Sequence, residues 1–485
     1  MRTQRWAERS ELKQQLVPLG TGHGGPVLLK DDRPYVFDSE AHTLALGVTG
    51  MGKTSAFSIP LVLSNIAAGE NGVIMDPKGE IYRITAAQAE EAGYRTVFID
   101  LRNPSSSMGY SVFREAYRLY HSKDAAERDR ASGMLYSIAH VLFEDTPIDP
   151  FWPESARSLF IGVCLLLFEK RDIRDISFNT VHAVASDKEG LNLLCEMLDK
   201  DSPARLQLSA YLKAANDTRA SIFAVFADGI SKITRSNALA GMITDPDGFR
   251  LTDITGNEKT IIYVTIPDEN KMYGTLGAVI IEQISEYLIH LAHSFDDARL
   301  PIRWHFLLEE LGTLSQSFPQ LPTMMIAARS RNIRMHLVLQ SLSSLTKPYG
   351  PDADTILANI GLAIVFRVFD YQTAVSFAQR VGMRQVDDGR GVRTEALLTP
   401  NDLLGFPQFQ ALVIVNGSLN AVMKLRRYDV LFDRSDWPAP KRPEAPTDGV
   451  GHDRNPHVAD AKTILSELLA KMDSAQLMVF KEAAE

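Results

Sequence analysis

The stretch Gly47-Val48-Thr49-Gly50-Met51-Gly52-Lys53-Thr54 constrains this chain more than any other, because it satisfies G-x-x-x-x-G-K-[ST]. In such a loop the glycines let successive backbone amides face phosphate oxygens, the lysine reaches the β and γ oxygens, and the hydroxyl holds Mg²⁺. The residues expected to bind are therefore Gly47, Thr49, Gly50, Met51, Gly52, Lys53, Thr54 and Ser55, with ATP and Mg²⁺ as ligands. The mechanism requires a strand to feed the loop and a helix to leave it, since the amides converge at the helix N-terminus. Leu44–Leu46 and the helix-compatible run Thr54–Ala68 supply both.

The same alternation continues beyond the loop. Gly72–Met75 reads as a second strand ending in Asp76-Pro77-Lys78-Gly79-Glu80, followed by a helical run to Ala92 and a third strand, Arg95–Ile99. Strands separated by helices imply parallel pairing and an α/β sheet. From about Leu119 to Ala240 the pattern changes: Ala125–Leu142, Trp152–Glu169 and Ala204–Ile230 have helical periodicity, which predicts an all-α insert. Strands resume at Thr260–Ile266, Ile302–Leu308, Ile333–Leu339, Leu362–Val368 and Gln410–Val415. The expected domains are 1–118 and 246–440 for the two parts of a nucleotide-binding domain, 119–245 for the insert, and 441–485 for a linker and tail. Within that last segment a Pro-rich stretch ends at Pro446, and Ile464, Leu465, Leu468, Leu469 and Met472 form one helical stripe.

A second half-site must bring carboxylates to the metal and to the attacking water. Trp304-His305-Phe306-Leu307-Leu308-Glu309-Glu310 has that form, an apolar strand ending in acids. Glu309 is assigned to the Mg²⁺ shell and Glu310, further beyond the strand, to polarising water. Taken alone this strand end is equally an exposed acidic turn. Charge developing on the γ oxygens also needs a cation, often an arginine from a neighbouring subunit. Arg329, Arg331 and Arg334 cluster before the strand that ends at Gln340, although a solvated helix end explains such a cluster as well as catalysis does. Gln340, polar at the tip of an apolar strand, is placed to sense the γ-phosphate or simply to turn the chain.

Composition narrows the classes. At 45% hydrophobic and 23% charged residues the chain reads as folded and globular, and a net charge of −9 gives bulk electrostatics no part in binding nucleic acid. Cys164 and Cys195 lack disulfide or metal spacing and read as core thiols. The apolar run Leu159–Phe168 is half of the roughly 20 residues a membrane helix needs, so the chain reads as cytoplasmic. His290 and His293 read as a solvated face, Phe151, Trp152, Phe160 and Leu167 as core, and Lys424, Arg426 and Arg427 as a basic knot that tracks phosphate or edges a strand.

The assembled pattern resembles the conjugative coupling proteins of type IV secretion systems over roughly Arg5–Gly382. The resemblance rests on Arg5-Trp6-Ala7, the loop at Gly47, Asp76-Pro77-Lys78-Gly79-Glu80, Pro150-Phe151-Trp152, Glu309-Glu310, Ala328-Arg329-Ser330-Arg331, Gln340-Ser341 and Ile356-Leu357-Ala358-Asn359-Ile360-Gly361. It implies a RecA-like P-loop ATPase of the additional-strand kind with an inserted all-α domain, a homo-hexamer with ATP at its interfaces and DNA, expected single-stranded, in the pore. Family roles would fall on Lys53, Thr54, Glu309, Glu310, Arg329 as the arginine near the nucleotide, and Gln340 as sensor. A relaxase and channel proteins would be partners at the inner face of the membrane, the anchor coming from a partner or a preceding segment. The family usually has Asp where Glu309 stands and Asn-Pro where Ser111-Val112 stand. The alternatives are a docking platform with little ATPase and a chromosome-type DNA translocase.

Overall fold

Buried β-branched and leucine-rich segments, most of them followed by a helix, build a nine-stranded sheet in the computed structural model of the chain. The structure describes residues 5–7, 11, 16–30, 33–143, 149–267, 271–314, 318, 320–387, 391–415, 419–433, 435 and 458–471. The Pro-rich stretch ending at Pro446, and Met472 of the C-terminal stripe, lie outside them. Two compact units form, Met1–Phe98 with Ile254–Pro443 and Ile99–Asp253 with Glu444–Glu485.

The described strands are, in chain order, β1 (Val17–Pro18), β2 (Val27–Lys30), β3 (Arg33–Val36), β4 (His42–Leu46), β5 (Asn71–Met75), β6 (Arg95–Asp100), β7 (Thr260–Thr265), β8 (Trp304–Leu308), β9 (Ile333–Leu339), β10 (Ile360–Val365), β11 (Met383–Asp387), β12 (Val392–Ala396), β13 (Gln410–Val415) and β14 (Leu419–Lys424). The large sheet runs β14-β13-β10-β4-β9-β8-β5-β7-β6. From β10 across to β7 neighbouring strands are parallel. Every residue of β4, β5, β8 and β9 is buried, as expected of a sheet covered on both faces. The extra strand β9 lies between the strand that feeds the Gly-rich loop and the strand that ends in acids.

Some expectations shift. β13 pairs antiparallel to β10 and continues into β14, so Gln410–Val415 does not extend the parallel series. The strand expected at Leu362–Val368 starts and ends earlier, at Ile360–Val365. The small sheet β1-β3-β2 and the hairpin β11-β12 are not among the expected strands; most of β12 is solvent-exposed, so no buried apolar run marks it.

The second unit is helical among the described residues. Its helix Phe151–Lys170 touches Ala125–Leu142, Phe178–Ser186, Pro203–Lys213 and Asn216–Thr234. That helix is long and apolar enough to cross a membrane by length and composition, but 72% of its most apolar window is buried inside the protein. Gly162 permits the close approach of Pro203–Lys213, because a Cβ there would stand 2.7 Å from Leu208 Cγ. The buried Arg157 donates from Nε to the Phe143 carbonyl at 3.0 Å and pairs with Glu154 at 2.7 Å, so its charge is compensated. The run expected over Ala204–Ile230 is two helices, broken where Ala214 and Ala215 are extended and the polar start Asn216-Asp217 favours a new N-terminus. Phe160, Leu167 and Cys164 are core, whereas Phe151 is exposed. The C-terminal helix Ala461–Leu469 packs on Lys188–Glu196 in this same unit, burying Ile464.

Phe160 meets the rings of Phe113, Phe143 and Phe178. Phe160→Ala removes that packing. It is expected to cost about 3–5 kcal/mol, read as a lower urea midpoint for the helical unit.

Candidate functional site

The parallel register brings the C-terminal ends of β4, β5, β8 and β9 to one edge of the sheet, and the loop at Gly47 opens there. Gly47 N donates to the Leu339 carbonyl at 3.1 Å and Val48 N to the Arg367 carbonyl at 3.0 Å, which ties the loop to the strands on either side of β4. Thr54–Ser58 forms a π-helical turn that runs on into the helix Ile59–Ala68. No acid occupies its first turn, so the positive end of the helix faces the loop uncompensated. Gly52 adopts φ +99°, and a Cβ there would stand 2.5 Å from the Phe409 ring. Only glycine fits between that ring and the loop.

A cavity of about 400 Å³ lies over this edge, with Thr49, Gly50, Gly52, Lys53, Thr54 and Ser55 on one wall. Lys53 is buried and its Nζ donates to the Gly47 and Val48 carbonyls. Burial pushes its pKa down, against the pull of Glu309 and Glu310. Glu309 is the first residue beyond β8. Burial pushes its carboxyl up to about 7, against the pull of Ser58 and Lys53, and its Oε1 is buried with no hydrogen-bond partner. Glu310 follows in the left-handed region at φ +51°, uncommon for a residue with a side chain, and pairs with Lys78 Nζ at 2.7 Å.

Lys78 belongs to the turn after β5, which Asp76 organises. The buried Asp76 carboxylate accepts from Glu80 N at 3.1 Å and Tyr82 N at 2.9 Å, capping the helix Glu80–Glu91. Burial raises Asp76 to about 6 despite those bonds. The opposite wall comes from the segments flanking β13 and β14. Gln408 Nε2 donates to the Gly50 carbonyl at 2.8 Å, Phe409 N to the Met51 carbonyl at 3.2 Å, and Phe409 itself takes φ +67°. Arg427 and Tyr428 complete the lining, with Arg427 paired to Asp429 at 2.9 Å.

The structure thus gathers Thr49, Gly50, Gly52, Lys53, Thr54, Ser55, Glu309 and Glu310 at one cavity. Gly47 and Met51 belong to the loop but not to the lining, and the Met51 side chain joins the hydrophobic core beneath. Gln340 is exposed immediately after Leu339, the residue bonded to Gly47, and is not among the lining residues. Arg329 is exposed at the other end of β9. That strand has seven residues, and six rises of about 3.3 Å separate its first from its last by about 20 Å. Within one chain Arg329 is therefore remote from the cavity. Sequence reasoning missed Gln408, Phe409 and Tyr428, which reach the loop through the β13 and β14 pairing and carry no local signal. Lys78 was visible as part of Asp76-Pro77-Lys78-Gly79-Glu80, and Arg427 as part of the basic knot.

The Glu309 side of the site has the donors that Mg²⁺ prefers. A carboxylate oxygen without a partner and the Thr54 hydroxyl are hard oxygen ligands, and Mg²⁺ is usually held by one or two carboxylates plus phosphates and waters.

The type IV secretory system conjugative DNA transfer family matches residues 5–428 of the chain. Among solved structures, the unbound monoclinic form of the bacterial conjugative coupling protein TrwBdeltaN70 superposes with a TM-score of 0.65 at 17% identity, covering 92% of this chain and 96% of that one. Plasmid coupling protein TrwB in complex with the non-hydrolysable ATP analogue ADPNP gives 0.62 at 18% identity, over 92% and 97%. VirB4 of Thermoanaerobacter pseudethanolicus gives 0.53 at 12% identity, over 86% and 99%. None of the curated protein sequences matches. At these identities the likeness to solved structures is one of fold.

Because the folded protein holds the Glu309 proton up to about pH 7 while an unfolded chain releases it above about 4.5, rising pH through that window destabilises the native state. Glu309→Gln, without nucleotide or divalent metal, is expected to stabilise the protein by about 3 kcal/mol at pH 8. The gain should fade as pH falls below 7 and vanish near 4.5, read from urea midpoints across that range.

Proposed function

The chain belongs to the type IV secretory system conjugative DNA transfer family, and from that premise we propose that it is the ATP-hydrolysing motor that delivers a DNA–relaxase substrate to a type IV secretion channel. The observation that carries this reading is the convergence of Lys53, Thr54, Glu309 and Glu310 on one cavity at the C-terminal edge of a parallel sheet.

In this reading the amides of the loop at Gly47 and the Lys53 ammonium hold the β and γ phosphates of ATP, as the helix N-terminus favours. Thr54 and Glu309 hold Mg²⁺, which when bound offsets charge on the β and γ oxygens. With a cation held there the Glu309 carboxyl would be ionised, because a positive charge offsets the effect of burial. Glu310 orients the attacking water and takes its proton as the water oxygen bonds to the γ phosphorus and the bond to ADP breaks. Gln340 senses the γ-phosphate from the tip of β9. Arg329, too distant to serve its own site, acts on the nucleotide of a neighbouring copy. That assignment calls for a closed ring, which we take to be a homo-hexamer with single-stranded DNA in its pore. Relaxase and channel proteins are the partners. The place of action is the cytoplasmic face of the membrane, with an anchor from a partner or another segment.

Steady-state ATP hydrolysis with and without single-stranded DNA, at low and moderate salt, tests the reading. Turnover should rise with DNA, most strongly at low salt where phosphate contacts are strong, and vanish in Lys53→Ala. Arg329→Ala alone should lose on the order of a thousandfold. Mixing it with Lys53→Ala should restore part of the activity, since mixed interfaces then pair an intact loop with an intact arginine. Restoration by neither mixing nor DNA would sink the ring-motor reading.

A further inference from the structure

The Asp76-Pro77-Lys78-Gly79 turn is more rigid than a surface loop needs to be. Asp76 is buried and its carboxylate fixes two backbone amides of the next helix. Pro77 restricts its own φ, and Gly79 takes φ +63°, a conformation that disfavours other residues. The backbone of Lys78 is thereby held still while its side chain is 51% exposed. At its end the ammonium meets Glu310, whose backbone is in the left-handed region. Such strained backbone at a charged cavity is a known mark of a working part.

The arrangement conflicts with the role of Glu310. The Lys78 ammonium holds Oε1 at 2.7 Å, which ties up one of the two oxygens and lowers the basicity of a carboxylate that has to take a proton from water. Lys78 lines the same cavity as Lys53, and its ammonium is close enough to disfavour the charge on Lys53. Two cations and two carboxylates therefore share one space, into which a triphosphate would bring further negative charge at its γ end. The Lys78 end of the pair is 51% exposed and the Glu310 end 16%, so water can take over the ammonium when it leaves the carboxylate.

We propose that Lys78 is a positioning residue that exchanges partners, holding the Glu310 carboxylate when no γ-phosphate is present and leaving it for the γ-phosphate when ATP binds. Glu310 is released for water only when there is a bond to break. The inference rests on the reading of the cavity as the ATP site, and it makes Lys78 the element by which the protein tells ATP from ADP.

Binding rather than turnover tests it, with full-length protein, Mg²⁺, and ADPNP against ADP, by calorimetry. Lys78→Met is expected to weaken ADPNP by roughly three- to tenfold and to leave ADP nearly unchanged, with Lys78→Arg restoring the difference. Glu310→Gln is expected to tighten ADPNP by a similar factor, because Lys78 no longer has to abandon a carboxylate, and that gain should be absent in Lys78→Met/Glu310→Gln. A Lys78→Met change equal for both nucleotides, or a Glu310→Gln gain that persists in the double variant, overturns the proposal. Lys53→Ala separates the two levels: if it binds both nucleotides as the native chain does, the ATP-site reading itself fails. If Lys53→Ala loses both while Lys78→Met changes neither, only the role of Lys78 fails.

Discussion

Everything at the site depends on the parallel pairing of β4, β9, β8 and β5. Parallel strands point their C-terminal ends the same way, so three separate segments deliver their chemistry to a single edge: the loop after β4, Glu309 and Glu310 after β8, and Lys78 after β5. None of these groups is near another in sequence. Their meeting is a property of register, and register in a sheet buried on both faces is set by how the side chains of each strand fit their neighbours. For β8 a slip of one residue would put Glu310 where Glu309 stands.

Register between β8 and β9 has a polar safeguard as well as an apolar one. His305 on β8 and His336 on β9 are both buried, and their Nδ1 and Nε2 atoms lie 2.9 Å apart. The other nitrogen of His305 meets Glu70 at 2.6 Å, and Glu70 in turn pairs with Arg303, which pairs with Asp38. Burial drives both imidazoles below their usual range, so the pair stays neutral at physiological pH and one ring donates to the other. These contacts form in one alignment, and a slip of β8 against β9 would leave the buried groups that make them unpaired. They span the start of β8 while the carboxylates occupy its end.

The core strands were legible in the sequence because burial on both faces demands continuous apolar runs, and Ile333–Leu339 and Gln410–Val415 were read to the residue. The helical unit was legible for a similar reason, through the spacing of Ala125–Leu142 and its neighbours. What escaped were elements that bury little, such as β12, and the antiparallel turn of β13, since direction leaves no mark on the composition of a strand. At the site, Lys53 and Thr54 were readable because a phosphate loop is local. Phe409 was not, because its function as a wall depends on a glycine 357 positions earlier making room for it, and no local pattern records that contact.

The absence of Arg329 from the cavity follows from the same geometry that assembles the rest. β9 runs parallel to β4, so its end touches the loop and its beginning must lie at the opposite edge. An arginine preceding β9 and a glutamine following it are thereby assigned to different faces of the same molecule. A rigid strand between them means that the two cannot serve one nucleotide within one chain, whereas in a ring each chain would offer its arginine edge to a neighbour and keep its glutamine edge for itself. Every residue of that strand from Ile333 to Leu339 is buried, so close packing on both faces fixes the separation between the edge that carries Gln340 and the edge that carries Arg329.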